Sequence, residues 1–279
     1  MTEPAAGKLV VIATPIGNLG DLAPRAAVAL GAASVIACED TRHSRKLFAA
    51  IGIATPKLIS VHKDNEVARV REILDLSADG NTVALITDAG TPAVSDPGRH
   101  VVEAAAAAGV VVESIPGPSA VTTALAASGF EADRYVFEGF LPRKGTERRA
   151  RLAAIATETR TTVIYESPNR VAATLQDLAD ACGFDRAVVV GRELTKIHEE
   201  YWRGGLAAAA LHFREGARGE FVIVVAGGSA EPVAVDDTAI LTALEDALAA
   251  GASTRAAADD VAALLGVARN RVYRLAVRR

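Results

Sequence analysis

The chain predicts an α/β fold of two lobes with a cleft between them, followed by a small helical, helix-turn-helix-like domain. Three observations predict it. Half of the 279 residues are apolar but only 4% are aromatic, so Ala, Val, Leu and Ile must build the core, as under a helix-covered sheet. Short β-branched runs alternate with longer Ala-rich stretches of helical period. Pro116-Gly117-Pro118 interrupts that alternation near the middle, and no strand pattern follows Gly227-Gly228. The expected divisions are 1–117, 118–230 and 236–279.

In the first lobe the strand runs are Leu9–Thr14, Ser34–Cys38, Lys57–Val61, Thr82–Thr87 and Val110–Ile115, with helical windows near 21–31, 41–51, 65–78 and 96–108. Continuously apolar strands each followed by a helix mark a parallel sheet buried on both faces. A helix starts at Ser119. The second lobe repeats the style with Tyr135–Phe140, Thr161–Tyr165, Arg186–Gly191 and Glu220–Ala226, and helices near 146–158, 167–181 and 205–214. Ser229–Asp237 reads as a linker. The helical tail then breaks at Gly266-Val267 and restarts with Arg269, Arg271 and Arg274 on its polar face.

Thirty basic against 34 acidic residues give a net charge of −4, which as a sum disfavours a nucleic-acid partner. The distribution points the other way. Residues 251–279 hold six Arg and two Asp, and Arg134, Arg143, Lys144, Arg148, Arg149 and Arg151 form a second basic cluster. Phosphate backbones reward such clusters, although a lid with solvated arginines fits the tail equally well. Cys38 and Cys182 have no ligand spacing, and the five histidines are unpaired, so neither a disulfide framework nor a metal site is expected. The apolar run Leu9–Ala13 is too short for a signal-peptide core, and Glu103 and Glu113 interrupt the most apolar window. A soluble, cytoplasmic protein without a membrane span is the expectation.

Five loops at strand ends carry polar and small residues beyond what packing requires. Thr14-Pro15-Ile16-Gly17-Asn18-Leu19-Gly20-Asp21 is a two-glycine turn; it lacks a third glycine and Pro15 removes an N–H, so it faces a ligand without being a pyrophosphate loop. Asp21 reads as a helix cap. In Asp88-Ala89-Gly90-Thr91-Pro92-Ala93-Val94-Ser95-Asp96-Pro97-Gly98, a cap at Ser95 or Asp96 accounts for the later half, and the earlier half is taken as functional. Pro116–Ala120, Tyr165–Arg170 and Gly191–Lys196 complete the set. Buried ion pairs among Glu166, Arg170, Arg192 and Glu193 are an alternative reading of the last two.

Together these loops, with Glu39-Asp40-Thr41-Arg42, resemble the tetrapyrrole-methylase superfamily of S-adenosylmethionine enzymes, and within it the branch that methylates ribosomal RNA. The resemblance spans Leu9 to the C-terminal helices. It implies S-adenosylmethionine-dependent 2′-O-methylation of a decoding-site cytidine in 16S rRNA of the 30S subunit, by a homodimer with the cofactor between the lobes. It places Pro15, Thr91, Val94, Ser119, Ala120, Tyr165 and Glu166 at the cofactor, with Phe221 or Ala226 as a further contact. The chain departs from the pattern at His62-Lys63-Asp64-Asn65-Glu66, where Lys63 replaces a second imidazole.

Methyl transfer needs a group to take the ribose proton, and Lys196, Glu193 and Asp88 are the candidates, the lysine on condition of a lowered pKa. Arg42, Arg143, Lys144 and Arg170, with Arg269, Arg271 and Arg274 in the tail, suit RNA phosphates. A tetrapyrrole C-methylase and a non-catalytic ribosome-assembly factor are the competing readings.

Overall fold

The computed structural model describes residues 7–215, 217–228, 237–249, 251–265, 267 and 269–277. Residues 229–236 of the expected linker 229–237 and Gly266 of the tail break lie outside them, and Asp237 opens a helix instead. Residues 1–227 and 228–279 form two compact units.

The first unit opens with β1 (Lys8–Ile12), α1 (Pro24–Ala32), β2 (Val35–Cys38), α2 (Thr41–Ala50) and β3 (Lys57–Ser60). It continues with α3 (Glu66–Ala78), β4 (Thr82–Leu85), α4 (Arg99–Ala107) and β5 (Val111–Ile115). The strands form one all-parallel sheet in the order β3-β2-β4-β1-β5. Alternate residues serve opposite faces. Leu9 and Val11 pack with Ile73 of α3 and Val101 of α4, while Val10 and Ile12 pack with Leu30 of α1 and Phe48 of α2.

The second sheet follows α5 (Ala120–Ser128) and consists of β6 (Tyr135–Phe140), β7 (Thr161–Glu166), β8 (Ala187–Arg192), β9 (Glu200–Gly205) and β10 (Phe221–Val225). Helices α6 (Gly145–Thr157), α7 (Val171–Cys182) and α8 (Leu206–His212) cover one face through Ile155, Leu175, Leu178 and Leu206. Helix α5 covers the other through Val121 and Leu125. The order is β6-β7-β10-β8-β9, and of its four hydrogen-bonded strand pairs only β6–β7 is parallel. The expected repeat of the first lobe's parallel style is therefore corrected. The short connection 193–199 returns the chain antiparallel to β8, which a parallel pair cannot do without a long crossover. Strand β9 escaped the sequence reading because Glu200, Arg203 and two glycines give an edge strand no apolar run.

Helix starts also differ. Asn18 caps a single 3-10 turn at Leu19–Asp21 by accepting from Gly20 N–H at 2.9 Å, so Asp21 caps nothing. Helix α4 starts behind Gly98, with φ of 127° and no side-chain cap, so neither Ser95 nor Asp96 is a cap residue. The second unit contains α9 (Asp237–Ala249), α10 (Thr254–Leu265) and α11 (Arg269–Val277), packed around Ile240, Leu244, Val261 and Val272. Among the described residues no helix is long and apolar enough to cross a membrane.

Within α1, Leu30 is 0% exposed and Val28 72% exposed. Leu30→Ala is expected to lower the unfolding free energy by about 2–5 kcal/mol, and Val28→Ala to change it by less than about 0.5 kcal/mol. Urea denaturation followed by circular dichroism checks both.

Candidate active site

Two backbone hydrogen bonds join the turn after β1 to the loop after β4: Thr14 N–H to Gly90 O at 2.9 Å and Gly90 N–H to Thr14 O at 3.1 Å. The buried Thr14 hydroxyl adds a bond to Thr87 O at 3.1 Å. Both loops leave C-terminal strand ends of a parallel sheet, where open α/β folds form ligand crevices. Ile16 then extends from the turn to pack against the α5 side of the second sheet. In the other loop, Ala93 and Ser95 adopt left-handed backbone at φ of 68° and 63°, a strain of the kind found at functional sites. A Cβ on Gly139 of β6 would lie 2.8 Å from Ser95 Oγ, so that close approach requires glycine.

These elements enclose a cavity of about 360 Å³ lined by Thr91, Val94, Ser119, Ala120, Tyr165 and Glu166. Six of the seven expected cofactor residues thus share one wall. Pro15, the seventh, lines a neighbouring cavity of about 360 Å³ with Asp88, His43, Lys46 and Lys196. Ile16, Ala89 and Glu220 line both. Ser95 and Asp96, which the sequence offers as cap candidates, also face the first cavity, as do Phe140 and Glu220, which it does not single out, and Phe221 lines it as the resemblance implied. Asp96 had been assigned to capping. Phe140 carried no signal beyond its place at a strand end.

Tyr165 packs edge-to-face on Phe137 and Phe140, at centroid distances of 4.9 and 5.6 Å. Burial, then the Asp96 charge, pushes its hydroxyl up to about 12. The Glu166 side chain is 0% exposed and bound within the fold, with Thr174 Oγ1 donating at 2.7 Å and Ser167 N–H at 2.8 Å, and it forms an ion pair with Arg170 Nη2 at 3.2 Å. Burial, then the charge of Glu39, pushes the Asp96 carboxyl up to about 6. Glu39 is raised by burial and by Asp88, and the Lys63 ammonium draws both Glu39 and Asp96 back down. Lys63 therefore serves as a counter-charge to this carboxylate cluster. Asp88 accepts from Asp40 N–H at 3.2 Å.

The partners of Lys196 and Glu193 argue against the base role expected for them. Lys196 Nζ donates to Glu193 Oε1 and to Glu220 Oε2, each at 2.8 Å. Partial burial works to lower its pKa, but the two carboxylates outweigh it and the net shift is upward. The hydrogen bond from Lys196 holds Glu193 below the usual carboxylate range. A lysine bound in this way stays an ammonium at neutral pH and has no free pair to accept a proton.

Several arginines expected to meet RNA are also paired. Arg42 binds the Asp40 carboxylate at 2.9 Å, Arg271 binds Asp237 at 2.8 Å, and Arg269 pairs with Asp259. Arg274 donates to Asn270 O at 3.3 Å. In the other cluster, Arg148 is committed to Asp177 at 2.6 Å and Arg151 to Glu138. Arg143 and Lys144 have no side-chain partner among the described residues. Among those residues no group of three or more His, Cys, Asp or Glu could hold a metal ion.

The tetrapyrrole (corrin/porphyrin) methylase family model matches residues 8–210. Three relatives bear the name ribosomal RNA small subunit methyltransferase I. That of Pseudomonas aeruginosa is 42% identical over 99% of this chain and 98% of its own. That of Mycobacterium tuberculosis is 45% identical over 93% and 90%, and that of Synechocystis 47% over 81% and 81%. Two solved structures share the fold. The methyltransferase CobJ has a TM-score of 0.61 at 22% identity, covering 79% of this chain and 94% of its own. Thermus thermophilus uroporphyrin-III C-methyltransferase, complexed with S-adenosylhomocysteine, has 0.55 at 19%, covering 80% and 98%. With a model match over most of the chain, and with the loops that carried the resemblance brought together around one cleft, the protein belongs to the tetrapyrrole methylase family.

Proposed function

We propose that this protein is an S-adenosylmethionine-dependent methyltransferase that methylates the ribose 2′-oxygen of a decoding-site cytidine in 16S rRNA of the small ribosomal subunit, in the cytoplasm and as a homodimer. The carrying observation is the 42% identity over 99% of the chain to a relative named for small-subunit rRNA methylation. The chemistry of the cavity supports the reading.

A volume of about 360 Å³ falls in the small-molecule range, roughly 300–1,000 Å³. Phe140, Tyr165, Phe221 and Ile16 offer apolar and aromatic surface to a nucleoside base. Ser119 and Ala120 sit at the start of α5, whose first N–H groups have no side-chain cap and are available to ligand oxygens. Bound there, the cofactor supplies a methyl already activated on a sulfonium. The residues have to orient the 2′-hydroxyl, exclude water and receive one proton.

Asp96 is the proton acceptor in this reading. It lines the cofactor cavity, and its carboxyl at about 6 is ionised at neutral pH yet basic enough to take the proton as the O–C bond forms. Lys196 bridges Glu193 and Glu220 and orders the loop beside the first turn.

The direct test supplies purified protein, labelled S-adenosylmethionine and undermethylated 30S subunits. Label on a ribose 2′-oxygen is expected; label on a base carbon or nitrogen overturns the chemistry. Asp96→Asn is expected to lower kcat by about 10²–10⁴-fold, and the wild-type kcat to rise with pH through about 6. The same variant should be no less stable. The folded-state value is raised from 3.8 to about 6, so ionisation penalises the fold progressively as pH rises across that interval and fully above it, and Asn escapes the penalty. Lys196→Met should keep the inflection near pH 6. Its stability deficit should be present at neutral pH and should vanish as pH rises past the lysine's elevated value, above 10.5. Sedimentation velocity checks the dimer, with a species of twice the chain mass expected.

A further inference from the structure

A third cavity, of about 510 Å³, shares Ser167 in its lining with the cofactor cavity. Its wall contains Arg143, Arg148, Arg170, Asn169 and Asp177. Arg148 is turned inward: Nε and Nη2 donate to Asp177, Nη2 also to Thr174 Oγ1, and Nη1 to Pro142 O at 2.9 Å. Arg170 donates from Nη2 alone, to Leu141 O at 2.8 Å, with Glu166 at 3.2 Å. Two guanidiniums therefore fix consecutive carbonyls, Leu141 and Pro142, of the loop that presents Arg143.

Asp177 compensates Arg148, and the buried Glu166 compensates Arg170 in part. That leaves Arg143 as an uncompensated cation on a rigid support. The donors without acceptors among the described residues are the Arg143 fork, Nε and Nη1 of Arg170, and the exposed Asn169 amide. Among the described residues Asp177 Oδ1 and the Asn169 amide oxygen are left as acceptors, but the free N–H groups of Arg143 and Arg170 outnumber them, so the balance favours an anion rich in acceptors. A planar fork beside further N–H groups matches the geometry of phosphate oxygens. Arg143 and Asn169 are exposed, so the cavity is open along one side and suits a strand passing across it.

We propose that this cavity binds a backbone phosphate of the RNA substrate, next to the ribose presented to the cofactor cavity. The inference rests on the RNA-methyltransferase reading and specifies how the strand is held. Arg143 is the principal donor, with Arg170 and Asn169 completing the cradle. Glu166 links the two cavities, because the carboxylate that orders Ser167 on one side orients Arg170 on the other.

The test is filter binding of labelled undermethylated 30S subunits across a salt series, with methyl transfer measured in parallel and S-adenosylmethionine affinity by calorimetry. Arg143→Gln is expected to weaken 30S binding roughly tenfold, to reduce the salt slope by about 0.7–0.9, and to leave cofactor affinity unchanged. Arg71→Gln, an exposed charge removed from α3, should leave the slope at the wild-type value. Wild-type affinity and slope in Arg143→Gln overturn the phosphate site, and so does an equal fall in Arg71→Gln, which would show a general field effect. Reduced cofactor affinity in Arg143→Gln also overturns it. Tight binding of inorganic phosphate that does not compete with 30S subunits would assign the site to a free anion and overturn it as well. Wild-type protein that binds subunits with the Arg143-dependent slope but transfers no methyl would instead sink the proposed function and leave this inference standing.

Discussion

A single buried carboxylate organises the part of the molecule on which the site is built. Glu166 ends β7 with its side chain 0% exposed, and an ionised group there is tolerable only when fully partnered. It accepts from Ser167 N–H and Thr174 Oγ1 and pairs with Arg170. Thr174 in turn accepts from Arg148, which with Arg170 holds the carbonyls of Leu141 and Pro142. One group thus fixes the end of a strand, the first turn of α7 and the approach to α6. Removing one partner from such a network generally costs about 3–5 kcal/mol. The rigidity matters because Tyr165 and Ser167, on either side of Glu166, are both cavity wall.

The first sheet contributes in another way. Its buried Glu66 accepts from Gly98 N–H at 3.0 Å and His100 N–H at 2.6 Å, and its two loops are joined by the Thr14–Gly90 bridge and strained at Ala93 and Ser95. Residues in that region of backbone space generally cost about 1–3 kcal/mol each. They persist because Gly98 and Gly139 allow the loop to lie against Leu85 and β6 where a side chain would collide. The cleft is therefore pre-shaped by strain on one side and by a satisfied ionic network on the other. Neither side has to reorganise greatly to receive a ligand.

Much of this was legible in the sequence because its information was local. Continuous apolar runs gave nearly every strand, and the loops at their ends were recognised by small, polar and proline residues in series. The parts that were not legible depend on partners far along the chain. Arg148 meets Asp177 and Arg271 meets Asp237, 29 and 34 residues away, so no local charge count reveals that these cations are neutralised. The antiparallel sense of β10 is likewise a pairing property absent from its own apolar sequence. Asp96 was misread because Asp-Pro before a helix is a good capping pattern, yet Gly98 takes the cap and releases the carboxylate to the cavity.

The same principle separates the ionisable groups around the cleft into opposite roles. On one side Lys196 lies across Gly17, whose missing side chain admits the lysine stem, and Glu193 lies across Gly219 for the same reason. The resulting clasp joins one ammonium to two carboxylates and keeps Lys196 protonated near neutrality. On the other side Glu39, Asp88 and Asp96 share a site in which Lys63 is the opposing charge common to Glu39 and Asp96, and burial raises Asp96 toward neutrality. Environments that push titratable groups apart are how one site keeps some ions fixed while leaving another able to take a proton. Residue type alone left Lys196, Glu193 and Asp88 as equal candidates for the base, and the partners brought by the fold argue against the first two.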